Sequence, residues 1–232
     1  KELDDFARVA SHDLKEPLRG IRNYTTFLLE DYEDKLDEDG KTKLHTLTKL
    51  SERLTTFIDD LLEMSRVGRV ELQRKTCESS QIVNDVLSTL GPWLETENAT
   101  VEVSASLPPV KCHAVLIDQV FRNLIANGVK YNNSDEKRIT VGWRNDPEMG
   151  VVFSVKDNGI GIPERHAANV FTVFKRLHGR DEYGGGTGAG LSIAKKIIER
   201  HDGSIWLESE AGCGTTFYFA LGNNEEVNNG PN

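Results

Sequence analysis

The spacing of apolar positions divides the chain in two. From Leu3 to about Arg66, apolar or small residues recur in alternating steps of four and three: Leu3, Ala7, Ala10, Leu14, Pro17, Ile21, Tyr24 and Leu28. This heptad rhythm predicts a helix that packs in a bundle. The acid-rich stretch Glu30 to Lys41, which contains Gly40, reads as a turn. A second heptad run follows, Leu44, Leu47, Ser51, Leu54, Ile58 and Leu61, widened by Leu50, Phe57, Leu62 and Met64. Two long helices with a short connection predict an antiparallel hairpin. Two helices cannot enclose a core, so a face this wide predicts a second hairpin and a homodimeric four-helix bundle. Pro17 falls inside the first helix, where it removes a backbone hydrogen bond and predicts a kink.

Beyond a hinge at Val67 to Arg69, centred on Gly68, the pattern becomes mixed. Val70 to Thr76 alternates like a strand, and Ser79 or Ser80 is placed to cap a helix running to about Glu95. Thr100 to Ser104 reads as a strand and Ala114 to Tyr131 as a helix, with Leu116, Val120, Leu124 and Val129 on its apolar side. Ile139 to Trp143 and Val151 to Val155 alternate around an Asp146-Pro147 turn, as an antiparallel pair would. A helix over Ala189 to His201 and strands over Ile205 to Glu208 and Thr215 to Leu221 complete the set. The fold class is therefore α+β: an antiparallel helical hairpin (1–67), then an α/β sandwich with helices on one face of the sheet (68–222). The Asn- and Glu-rich tail (223–232) reads as disordered.

Composition narrows the function classes. The 232 residues carry a formal charge of −9, with a pI near 5.2, which argues against a nucleic-acid partner. No run approaches the length of a membrane span, and no signal peptide opens the chain. Cys77, Cys112 and Cys213 stand far apart and form no CxxC pair, as expected of reduced thiols in a cytoplasmic protein. The chain opens on Lys already in helical pattern, so it reads as a piece of something longer.

Three elements carry candidate chemistry. Gly184, Gly185, Gly186, Gly188 and Gly190, in GGGTGAGLSI, precede a helix and expose backbone N–H groups that favour phosphate. No Gly-Lys-Ser/Thr follows, so this is not a P-loop. Asp157-Asn158-Gly159-Ile160-Gly161 follows a strand; a carboxylate there can accept from an exocyclic amine, and Gly161 leaves room for a flat base. Asn123 and Asn127 lie four apart on one helix face, with Lys130 and Tyr131 close behind. Amide oxygens are hard ligands suited to Mg²⁺. Each element alone is equally the sequence of a flexible loop, a tight turn or a solvated helix face.

Their order is far more specific than any one of them. The Asn segment, DNGIG, the Phe171/Phe174 turn, GTGAG and Gly212-Cys213-Gly214-Thr215-Thr216-Phe217 together resemble the ATP-binding domain of the GHKL superfamily. Phe6 to Leu18, containing HDLKEPL, resembles the H box of sensor histidine kinases, and the resemblance extends over about Leu3 to Leu221. HDLKEPL and RLHGRDEYGGGTGAGLSIAKKIIERH are most similar to kinase modules of phytochrome-like photoreceptors.

In the heptad register His12 occupies the outermost, f position. The resemblance implies that His12 is the phosphoacceptor and that Asp13 orients its ring by accepting from Nδ1, leaving Nε2 as nucleophile. It further implies that Asn123 is the Mg²⁺ ligand, that Asn127, Lys130 and Tyr131 line the nucleotide, and that Asp157 reads the adenine amine with Gly159 and Gly161 making room. Arg176 would meet the γ-phosphate; Gly186, Thr187, Gly188, Gly190 and Leu191 would shape the lid end over the phosphates; Thr215 would be a base contact. The cofactors implied are ATP and Mg²⁺. The partners implied are a second copy of the chain, a response-regulator receiver domain and an upstream sensor that this chain lacks. Glu16 departs from the family pattern: many relatives carry Thr or Asn there to position water, which puts dephosphorylation of the partner in question. An ATP-driven conformational clamp and a non-catalytic dimerisation module are the rival readings.

Overall fold

The computed structural model describes residues 2–175 and 187–222, with the side chains of residue 11, residues 13–175 and residues 187–222. Helix α1 (Glu2–Tyr32) runs as one helix through Pro17, and a single 3₁₀ turn (Glu33–Lys35) leads into α2 (Glu38–Val67). The connection is shorter than the acid-rich stretch suggests. Asp37, in extended conformation, caps α2 by accepting the Gly40 N–H at 2.7 Å, and Glu38 and Asp39 lie in the first turn, where acids oppose the helix dipole. Gly40 therefore sits inside the helix rather than in the turn.

Small polar residues fill the inner seam of the hairpin. Ser11, Thr25 and Ser51 are buried, and the Thr48 hydroxyl donates to that of Thr25 at 3.0 Å. The larger heptad residues face outward instead: Leu14, Ile21, Leu28, Leu47, Leu54 and Leu61 are all exposed, Leu61 by 52 %. One hairpin alone leaves this apolar stripe uncovered.

The second region is built on a five-stranded sheet. Its strands are β2 (Ala99–Val103), β4 (Lys137–Asp146), β5 (Gly150–Asp157), β6 (Ser204–Glu210) and β7 (Gly214–Ala220), in the order β2-β4-β5-β7-β6. The β2–β4 pair is parallel and the others are antiparallel. A separate two-stranded ribbon pairs β1 (Lys75–Glu78) with β3 (Pro109–Cys112). Helices α3 (Ser79–Thr96), α4 (Ala114–Lys130) and α6 (Gly190–Arg200) cover one face; a short α5 (Glu164–Ala167) follows Pro163. Phe121 of α4 meets Phe153 and Phe219 of the sheet at ring separations of 5.6 and 5.3 Å, which centres the core between α4 and β5–β7. On the opposite face Trp206 stacks on Tyr218.

Two local expectations fail. Val70 to Arg74 is not a strand; β1 begins at Lys75, and Arg74 instead turns inward to donate to the Arg200 carbonyl at 2.8 Å and to Asp202 at 2.7 Å. Neither serine caps α3. Glu78 holds the cap position without a side-chain bond, Ser79 is the first helical residue, and the Ser80 hydroxyl accepts the Leu107 N–H at 3.1 Å. The tail (223–232) lies outside the described residues.

Candidate active site

Asp157 ends β5, and the backbone around it is folded to leave its carboxylate facing a cavity. It is 7 % exposed, and its Oδ1 accepts the N–H groups of Gly159 at 2.9 Å and Thr215 at 3.1 Å. Burial raises its pKa above the ordinary carboxylate value; the two N–H donors pull the other way. Close backbone crossings make glycine obligatory here. A Cβ on Gly159 would lie 2.4 Å from the Tyr131 carbonyl oxygen, and one on Gly161, at φ +68°, would lie 2.0 Å from that of Glu210.

Helix α4 supplies the facing wall. Asn123, Asn127 and Lys130 recur at four and three residues, which places them along one side of the helix, and all three line the cavity with Tyr131. The Asn123 Nδ2 donates to the Gly190 carbonyl at 3.1 Å. That bond fixes the amide so that Oδ1 is the atom offered to a cation. The Lys130 ammonium lies 5.6 Å from the centroid of the Tyr131 ring. The start of α6 closes the third side, through Thr187, Gly188, Gly190 and Leu191.

The cavity measures about 270 Å³. Ala126, Ile160, Ile162, Val170 and Phe217 make up its apolar slot, and Thr187, bonded to Asp60 near Lys130, and Asn123, bonded to Gly190, mark its polar end. A flat heteroaromatic base with an exocyclic amine fits the first, and an anionic chain fits the second. Among the described residues no cluster of three or more His, Cys, Asp or Glu could hold a metal by itself. A cation here would take the Asn123 oxygen and complete its shell with phosphate and water oxygens, as Mg²⁺ does in nucleotide sites.

The structure thus brings Asn123, Asn127, Lys130, Tyr131, Asp157, Gly161, Thr187, Gly188, Gly190, Leu191 and Thr215 to one cavity; Gly159 does not line it but donates its N–H to Asp157. Arg176 and Gly186 lie outside the described residues. His12 lies on α1, its side chain outside what the structure describes, while Asp13 and Glu16 are exposed on the same helix. Phe171 packs edge-on against Phe217 with ring centres 6.3 Å apart. The sequence reading missed Lys175 and two residues of the hairpin, Thr56 and Asp60, which line the cavity from α2. Their only sequence signal is polarity beside the apolar stripe, which any solvated helix face shares.

Two family models match the chain in succession. The His Kinase A (phospho-acceptor) domain matches residues 2–69, and the histidine kinase-, DNA gyrase B- and HSP90-like ATPase matches residues 112–224. Cyanobacterial phytochrome B of Nostoc sp. is 51 % identical over 221 residues, 95 % of this chain and 29 % of that protein. The phytochrome-like protein Cph1 of Synechocystis sp. is 42 % identical, again over 95 % of this chain and 29 % of its own length. The chain therefore spans less than a third of these curated relatives. Among solved structures, full-length ShkA in complex with AMPPNP superposes with a TM-score of 0.68 at 22 % identity, covering 94 % of this chain and 45 % of that one. The catalytic domain of histidine kinase ThkA superposes with a TM-score of 0.54 at 26 % identity, over 66 % of this chain and 96 % of that one. The helical hairpin, the α/β sandwich and these matches agree, and the chain belongs to the histidine kinases, with a phospho-acceptor domain preceding a histidine kinase-like ATPase domain.

Proposed function

We propose that this core uses MgATP to phosphorylate His12 and then passes the phosphoryl group to an aspartate of a response-regulator receiver domain. The observation that carries the reading is the convergence of Asp157, Asn123, Asn127 and Lys130 on one cavity with an apolar slot and a polar end. Asp157 accepts from the adenine amine; the slot of Ile160, Ile162 and Phe217 holds the ring. Asn127 and Lys130 hold the phosphates, and Asn123 offers its oxygen to Mg²⁺, which would neutralise charge on the transferring group. Arg176 is assigned to the γ-phosphate. The nucleophile is the neutral His12 imidazole, held by Asp13 so that Nε2 presents its lone pair.

The exposed stripe of Leu14, Ile21, Leu28, Leu47, Leu54 and Leu61 supports a homodimer, because a second hairpin would bury it. Among the described residues no helix is long and apolar enough to cross a membrane. We read the core as a cytoplasmic module acting under a sensor carried elsewhere in the full-length protein. The net charge of −9 supports a protein partner rather than a nucleic acid.

Site mapping tests the function. After incubation with MgATP, mass spectrometry at neutral pH is expected to place one phosphoryl group on His12. A phosphoryl group found on a serine, threonine or other residue instead would overturn the proposal.

A further inference from the structure

Helix α2 does more than carry the dimer stripe. Thr56 and Asp60, one turn apart, form part of the cavity wall, and the Asp60 carboxylate accepts a hydrogen bond from the Thr187 hydroxyl. Thr187 stands at the polar end of the cavity, where its oxygen also accepts the Ala189 N–H at 3.3 Å, just ahead of α6. Next to this clasp, Phe57 packs at a tilt against Phe174 with ring centres 4.4 Å apart, and Phe174 holds the left-handed conformation, φ +58°, that disfavours a bulky side chain. The hairpin and the ATPase domain thus meet through a polar contact in the cavity wall and an aromatic contact one residue along α2 from Thr56, besides the hydrogen bond that Arg200 donates to the Val67 carbonyl at the end of α2.

The polar contact is electrostatically awkward. Asp60 is partly buried and adjoins Asp59, which together push its pKa up; the Thr187 hydrogen bond and the charge of Lys130 pull it down. A nucleotide's phosphates at this end of the cavity would be anions seeking the same donors, the Lys130 ammonium and the Thr187 hydroxyl. Two negative groups cannot share them without repulsion that a half-buried site screens poorly.

We propose that Asp60 sets nucleotide affinity by competing with the phosphates for Thr187, so that the α2 clasp and the bound phosphates are mutually exclusive. The inference rests on the nucleotide reading of this cavity. It makes Asp60 a tuning residue carried by the hairpin: it weakens ATP and ADP alike, and re-formation of the clasp favours departure of ADP after transfer. Because the competition is between charges, it acts on the phosphates and not on the base.

Calorimetric titration of the whole chain with MgATP, ADP and adenosine tests this. Asp60→Asn keeps an acceptor for Thr187 but removes the charge, and is expected to tighten ATP and ADP by about tenfold while leaving adenosine within about twofold. Asp60→Ala should do the same. Equal ATP affinity in parent and variants, or an equal gain for adenosine, would overturn the proposal. A parent that binds none of the three would overturn the nucleotide reading itself, which separates the two failures. Independently, cysteines placed by Asp60→Cys and Thr187→Cys are expected to cross-link under diamide, and MgATP should slow that reaction several-fold. Cross-linking at the same rate with and without MgATP would contradict mutual exclusion, whatever the stability of the Asp60 variants.

Discussion

The side-chain amide of Asn123 donates to the carbonyl oxygen of Gly190, tying the middle of α4 to the first residue of α6. The bond occupies Nδ2 in a structural task, and the role proposed towards a cation falls to Oδ1. Asn123→Asp keeps the ligand type but turns the donor into an anion facing a carbonyl. The expected cost is about 1–3 kcal/mol of stability, with MgATP affinity lowered tenfold or more. Isothermal titration checks the second part; a variant that binds MgATP like the parent would remove Asn123 from the site.

Gly161→Ala should damage the same pocket from the other side. At φ +68° its new Cβ would fall 2.0 Å from the Glu210 carbonyl oxygen, so the loop after Asp157 must move. A stability loss of about 1–3 kcal/mol is expected from the strained backbone alone, together with loss of adenine-nucleotide binding. Denaturant unfolding and fluorescent-nucleotide titration read the two effects. A variant as stable as the parent would mean that the loop accommodates a side chain there.

Much of this architecture was legible before the structure, and the exceptions have physical causes. Long periodic segments such as Ala114 to Tyr131 announce themselves, and α4 ends one residue earlier. The antiparallel pair around Asp146-Pro147 is likewise found, although β4 and β5 extend farther than the alternation showed. Arg74 and Ser80 defeated local reasoning because each is committed to a partner far along the chain, Asp202 and Leu107 respectively. The ribbon strand β3 is only four residues long, too short to display a period. In the site, residues carried by sequence motifs were legible, whereas Thr56 and Asp60 reach the cavity only because α2 docks against the ATPase domain. No spacing within α2 encodes that contact.

His201 predicts a signature in pH. Its ring is fully buried, with Nδ1 2.8 Å from the Ile197 carbonyl and Nε2 accepting the His113 N–H at 3.1 Å, so it is held neutral. Burial lowers its pKa from the ordinary 6.5. Below that value the unfolded chain takes up a proton that the native ring refuses, so stability is lost as the pH falls. His201→Gln cannot titrate. The melting-temperature gap between parent and variant should therefore be widest above pH 7 and shrink by pH 5.5. A gap independent of pH would mean that the native ring takes up a proton as readily as the unfolded chain does, contrary to its burial.

Leu54→Lys tests the hairpin's outer stripe. Leu54 is exposed in the single chain and sits midway along the second heptad run. In a four-helix bundle the substitution would bury a charge at the centre of the interface, at a cost of several kcal/mol. Multi-angle light scattering is expected to give a dimer for the parent and a monomer for the variant. A parent that is monomeric at micromolar concentration would contradict the bundle.

The central claim is that His12 receives phosphate from ATP bound beside Asp157 and Asn123. The most direct measurement compares the parent with His12→Gln after incubation with γ-labelled MgATP, followed by acid and alkali washes. Transfer to an imidazole nitrogen gives a phosphoramidate, which acid cleaves and alkali spares. The account predicts acid-labile, alkali-stable label on the parent and none on His12→Gln, with ATP affinity the same in both, since the account gives His12 the phosphoryl group and no part in holding the nucleotide. Acid-labile label retained on His12→Gln would contradict it.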